Sequence, residues 1–347
     1  MKRTHVALAT VAASMLLLTG CGSGSPSGAA TSSSAAAGAD APTASQAGSS
    51  DTPDGDLQTV HVAAVPVVDV AAIYLGEEKG FFAEKGMTID IQFTPGSSVS
   101  IPALLQDQYD VVYTGSVNAF QAREKGLPVI AVAEGGRTTG EPGADHGGIV
   151  VPEDSTIEDA GDLEGRSVAV NAVKGLHEAA IRQSVKKAGG DPDTVNFLEL
   201  PLPDMQPAME RGDVDAISTS EPFLGNAKDA GHRLIADPYI DVDPEFVTAV
   251  YLTSEQKWAE DPQFVKDFVE VVKRSQEYAT ENPEEFRTEL SNFTEIDPAT
   301  AKTMILTKFG WGFPDQAMER GAQATEEAGI IADADKGLEG LVVDVQE

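Results

Sequence analysis

Five short polar stretches carry the side chains best suited to chemistry, and that chemistry is the holding of a small solute. Asp69, just after the break at Pro66, is either a helix cap or a contact to a ligand amine or hydroxyl. Gly96-Ser97-Ser98 and Thr114-Gly115-Ser116-Val117-Asn118 each lead into a helical pattern. Unpaired N–H groups and hydroxyls at such starts suit a carboxylate, sulfonate or nitrate, although the same residues also build ordinary turns. Lys174-Gly175-Leu176-His177 opens a further helix, where Lys174 either neutralises an anion or is solvated and His177 either donates to a ligand or is structural. In Ser218-Thr219-Ser220-Glu221-Pro222-Phe223, Ser220 is a candidate contact. Glu221 is a cap or a contact between lobes, and Phe223 is core or an apolar ligand wall.

Chemistry that breaks bonds has no such footing. His5, His61, His146, His177 and His232 lack metal-ligand spacing, and no Gly-x-Ser-x-Gly elbow follows a strand. Carboxylate pairs such as Glu77-Glu78 and Glu284-Glu285 fall on solvated helix faces. No cofactor and no metal is expected. The net charge of −32 repels phosphates, which argues against nucleic-acid binding.

The elements that must position these loops alternate. Thr59–Phe93 reads as strand, helix, strand: Val60, Val62 and Ala63–Val65, then Val70, Ile73 and Tyr74 at helical spacing, then the alternating Thr88–Phe93. This is a βαβ unit, and ligands on open α/β sheets sit at the carboxyl ends of the strands. Strands follow at Tyr109–Tyr113 and Leu127–Ala133, with a Gly-rich loop over Glu134–His146. A second βα series runs from Ser167–Asn171 to Arg233–Ala236. Two apolar runs, Gly147–Val151 and Phe246–Leu252, read as crossings between the series. From Pro262 the pattern is helical, with prolines opening four helices. With 347 residues, two lobes with their own cores are expected.

The N-terminus reads as an address. Lys2-Arg3, the apolar run Val6–Leu18 and Leu18-Thr19-Gly20-Cys21 form a secretory leader whose last four residues resemble the bacterial lipobox, with Cys21 as the lipidated residue. The only cysteine in the chain is therefore spoken for, and no internal disulfide is expected. Residues 22–57, rich in Ser, Gly and Ala, read as a disordered tether.

Several groups together resemble the nitrate/sulfonate/taurine (NMT1/THI5-like) family of ABC-importer substrate-binding proteins. They are Gly76–Ile91, Ala103-Leu104-Leu105 with Tyr109-Asp110-Val111, Gly126-Leu127-Pro128-Val129, Asp162-Leu163-Glu164-Gly165-Arg166, and Asp213-Val214-Asp215-Ala216 leading to Glu221-Pro222-Phe223. Gly175 fits the family's small-residue turn, and Lys174 departs from it. The resemblance implies a type II periplasmic-binding fold, two α/β lobes joined by two hinge strands with a helical C-terminal extension. On this mapping 58–149 and 253–347 form lobe I and 150–252 lobe II. It further implies a lipid-anchored, monomeric receptor outside the cell membrane, with no reaction of its own, that passes a solute to a permease driven by a separate ATPase. The implied solute is a sulfonate, taurine or nitrate-like anion. The alternatives are an aromatic heterocycle such as a thiamine pyrimidine precursor, or an enzyme or sensor on the same fold.

Overall fold

The computed structural model describes residues 57–293, 296, 298–343 and 345. The expected leader, Cys21 and all of the tether except Leu57 lie outside the described residues.

Two five-stranded sheets share one plan. The first is built from β1 (Gln58–Ala64), β2 (Met87–Phe93), β3 (Val111–Gly115), β4 (Val129–Arg137) and β10 (Val247–Ser254), in the order β2-β1-β3-β10-β4. The second contains β5 (Gly147–Val151), β6 (Ser167–Val170), β7 (Asn196–Glu199), β8 (Ala216–Ser220) and β9 (Arg233–Ala236), in the order β7-β6-β8-β5-β9. In each sheet one strand runs antiparallel to both neighbours: β10 against β3 and β4, and β5 against β8 and β9. The other strand pairs are parallel, with β1 to β2 in the register Val60↔Ile89.

These two antiparallel strands are the expected crossings, and each bonds within a single sheet. β5 lies inside the second sheet, and β10 lies inside the first. The lobe limits expected at 149/150 and 252/253 fall within β5 and β10, of which β5 bonds wholly in the second sheet and β10 wholly in the first. An apolar strand buried on both faces carries no mark of which sheet it joins. The chain passes between sheets earlier, through 138–146 and 237–246. The two passages are tied together. The Thr138 N–H donates to the Phe246 carbonyl at 3.0 Å, and the Gly143 N–H to Asp237 at 2.7 Å.

Helices cover the sheets, with α1 (Ala71–Glu78) and α2 (Phe81–Glu84) ahead of β2. Next come α3 (Ser97–Leu104) and α4 (Ser116–Glu124), then α5 (Leu176–Lys187), α6 (Leu202–Glu210) and α7 (Phe223–Asp229) in the second lobe. A short α8 (Pro238–Val242) stands in the second passage. In the C-terminal third, α9 (Glu255–Glu260), α10 (Pro262–Glu281), α11 (Pro283–Phe293), α12 (Pro298–Thr303), α13 (Asp315–Glu327) and α14 (Ala334–Leu338) follow. The apolar stripe of α10 buries Phe264, Val265, Phe268, Val271 and Val272 against Val60, Val62 and Tyr251 of the first sheet. Such side chains contribute about 1.5–3 kcal/mol each when fully buried, which holds α10 to the first sheet. No helix among the described residues is long and apolar enough to cross a membrane.

Candidate functional site

Loops after the parallel strands of both lobes converge on one cavity of about 80 Å³, room for several waters or one small solute. From the first lobe come Val65, Val67 and Asp69 after β1, Pro95, Gly96 and Ser97 after β2, and Thr114, Gly115 and Asn118 where β3 becomes α4. The second lobe adds Asn171, Ala172, Leu176 and His177 after β6, Leu202 after β7 and Ser220 at the end of β8. His146 and Tyr239 enter from the two passages. This is where open α/β sheets place ligands, because strand ends leave helix starts with unbonded N–H groups. A wider groove of about 280 Å³ lies on the first lobe alone, under Trp311 and Phe313. Five valines are among its lining residues, with Glu134, Lys273 and Gln276, and it touches none of these loops.

Asp69 forms the floor and is 5% exposed. It is no helix cap: it sits inside a 3₁₀ turn, Val68–Val70, that no side chain caps. Its carboxylate accepts the Tyr113 hydroxyl at 2.7 Å. Gly136 passes so close that an added Cβ would lie 2.8 Å from Asp69 Oδ2. Burial pushes the Asp69 carboxyl above its ordinary range, outweighing the lowering by His146, Tyr113 and Thr307. No lysine or arginine lines the cavity among the described residues.

The opposite wall is aromatic and hydrogen-bonded. Tyr239 is buried with its ring 5.4 Å from His146 and 5.8 Å from His177. Its hydroxyl lies 2.9 Å from Ser220 Oγ and 3.3 Å from His177 Nε2. His177 Nδ1 is 2.9 Å from Ser218 Oγ. Burial, aided by the charge on His146, pulls the His177 imidazole down to about 4, so it is neutral at pH 7. No group of three His, Cys, Asp or Glu able to hold a metal occurs among the described residues.

Of the residues singled out from sequence, Asp69, Ser97, Thr114, Gly115, Asn118, His177 and Ser220 line the cavity. Ser98, Ser116, Lys174, Gly175, Glu221 and Phe223 do not. Ser116 is fully buried behind the wall. Lys174 adopts a left-handed backbone (φ 59°) and presents its carbonyl, which accepts from Gln121 of α4 across the lobes. Gly175 stands just ahead of α5. Glu221 accepts from the Gly225 N–H at 2.9 Å and from the Ile305 N–H of the C-terminal third at 3.2 Å, so it is both cap and interlobe contact. Phe223 packs with the second lobe's core. His146 and Tyr239 were missed as site residues because they stand on passages without hydrophobic period.

The family model described as NMT1/THI5 like matches residues 67–286, which takes in the second lobe, part of the first and most of the cavity. The chain belongs to the NMT1/THI5-like family. A formylaminopyrimidine-binding protein of Halalkalibacterium halodurans is 26% identical over 227 residues, 61% of this chain and 63% of that protein. The alkanesulfonate-binding protein SsuA from Xanthomonas axonopodis pv. citri, bound to MOPS, superposes with a TM-score of 0.70 at 16% identity, covering 84% of this chain and 99% of SsuA. The nitrate-binding protein NrtA from Synechocystis gives 0.68 at 15% identity, covering 82% and 85%. These structural likenesses establish the periplasmic-binding-protein fold for this NMT1/THI5-like chain.

Proposed function

We propose that this chain is the solute-binding subunit of an ABC importer. Held outside the membrane by a lipid on Cys21, it captures a small uncharged amino heterocycle and passes it to a permease unchanged. The observation that carries the choice of solute is Asp69: a buried acid lines the cavity beside His146, and among the described residues no lysine or arginine lines it. An anion would meet that acid without a lysine or arginine to offset it. An amino group on a flat ring would instead donate to Asp69, with its faces against Tyr113 and Tyr239 and its ring acceptors toward His146. The name of the H. halodurans relative points the same way. The anion reading from sequence is thereby set second. It survives for a zwitterion such as taurine, because the starts of α3, α4 and α5 at the cavity suit a sulfonate while Asp69 takes the ammonium.

A thermal-shift panel of cytosine, formylaminopyrimidine, taurine, methanesulfonate and nitrate tests the reading. A heterocycle at a hundred times its Kd stabilises by about 2.7 kcal/mol. That corresponds to a rise of several degrees for a protein of this size. A rise with nitrate or methanesulfonate alone rules out the heterocycle, and turnover of any panel member rules out the receptor. Mass spectrometry of the mature N-terminus checks Cys21: an unmodified cysteine or a cut elsewhere removes the lipid anchor.

A further inference from the structure

We propose that the proton on His146 is the closing charge of the cleft, and that the protein loosens its hold on solute as that proton is lost. The proposal rests on the receptor reading for its solute and on the passage geometry for its mechanism. His146 ends the first passage, between the lobes. Its Nδ1 lies 3.1 Å from Asp145 Oδ1, and its carbonyl accepts the Glu221 N–H at 2.8 Å. Asp145 is held in turn by the Thr138 hydroxyl at 2.7 Å and the Thr139 N–H at 2.9 Å. With Nδ1 engaged, Nε2 is the nitrogen left for the cavity that His146 lines.

Titratable groups face His146 from five places. Asp145 is its own neighbour, Asp69 comes from the turn after β1, Glu221 from the end of β8, Tyr239 from α8 and His177 from α5. The two histidines divide the work, since His177 stays neutral. One imidazolium therefore serves an acid from each lobe as well as Asp145. Glu221 is itself fixed across the junction by the Ile305 N–H. Burial is the largest single influence on His146 and pulls it down. The Asp145 hydrogen bond and the charges of Asp69, Asp145 and Glu221 together outweigh it, and the net shift is upward. Loss of the proton leaves a neutral ring among Asp145, Asp69 and Glu221. It also turns Nε2 from a donor into an acceptor, so the solute loses a partner as the lobes lose their shared cation.

The test is calorimetric titration of the tightest uncharged aminopyrimidine of the panel from about pH 6 to 9, in buffers of different protonation enthalpy. The wild type, His146→Gln and Glu221→Gln are compared, and imidazole resonances of the solute-free wild type are followed by NMR. The expected result is an affinity that falls with rising pH, by up to about tenfold per pH unit, with proton uptake on binding. The dependence should vanish in His146→Gln and move to lower pH in Glu221→Gln. A wild-type affinity independent of pH, or a slope unchanged in His146→Gln, overturns the proposal. The NMR arm needs no solute: His146 titrating at or below the ordinary histidine value of about 6.5 overturns it even if nothing in the panel binds. Failure of every panel member with a raised His146 titration would sink the receptor's solute and leave the charge standing.

Discussion

Asp69→Asn separates binding from folding. The substitution keeps shape and removes a charge. The Tyr113 hydroxyl, now 2.7 Å from Oδ2, can still donate to an amide oxygen. What disappears is the carboxylate that an amino group would find on the cavity floor. A hydrogen bond to a charged partner is worth about 1.5–3 kcal/mol, so affinity for an aminopyrimidine should fall by roughly 10- to 150-fold. Stability should move the other way. Burial raises the Asp69 pKa, so the folded protein favours the protonated acid. That favour is lost as pH rises through the folded pKa, and at higher pH the ionised acid is a net burden on folding. Asparagine removes the burden, and the solute-free protein should melt no lower than wild type above that pKa. Calorimetric titration and a thermal melt on the same sample decide it. A loss of less than about threefold in binding places the solute away from Asp69, given that 1.4 kcal/mol is tenfold. A melting temperature lowered by several degrees makes Asp69 a structural residue.

Three other changes probe the frame around the cavity. Gly147→Ala would drive a methyl into the Tyr239 ring. Overpacking of this kind costs about 1–3 kcal/mol, and the displaced ring should weaken solute binding in the same titration. Arg137→Met strands Glu134, which is buried beside it and whose carboxyl burial pushes up despite that arginine. Removing one partner of a buried pair costs about 3–5 kcal/mol, to be read as a lower urea midpoint. Burial pushes Asp145 up but its bonds from His146, Thr138 and Thr139 hold it below the ordinary range, while His146 lies above its own. Their joint contribution is then complete between about pH 4 and 6.5, falling on the acid side as Asp145 protonates and on the alkaline side as His146 loses its proton. A melting curve against pH shows the plateau, and His146→Gln should flatten the alkaline limb.

The βα alternation was legible because each helix and strand repeats its own hydrophobic period. The loops at the strand ends followed from it, and Asp69, Ser97, Thr114, Asn118 and Ser220 do face the cavity. What escaped reading depends on contacts between distant segments. Glu134-Gly135-Gly136-Arg137 reads as a loop, yet it completes β4. Its glycines are there because Tyr113 and Asp69 press against the strand, and an added Cβ at Gly135 would come within 2.6 Å of the Tyr113 ring. The helix Pro238–Val242 is one turn among prolines and aspartates, too short for any period to show. His146 and Tyr239 carry no local signal at all. Their place comes from the hydrogen-bonded pairing of two passages about a hundred residues apart in the chain, Thr138 to Phe246.

The most direct test is a crystal structure of the protein grown with the tightest aminopyrimidine of the panel. Density for one ring between Tyr113 and Tyr239, its amino group within hydrogen-bond reach of Asp69 and its acceptor toward His146 Nε2, is the result expected. A ring found under Trp311 on the first lobe, or an empty cavity with the lobes still in contact, would contradict it.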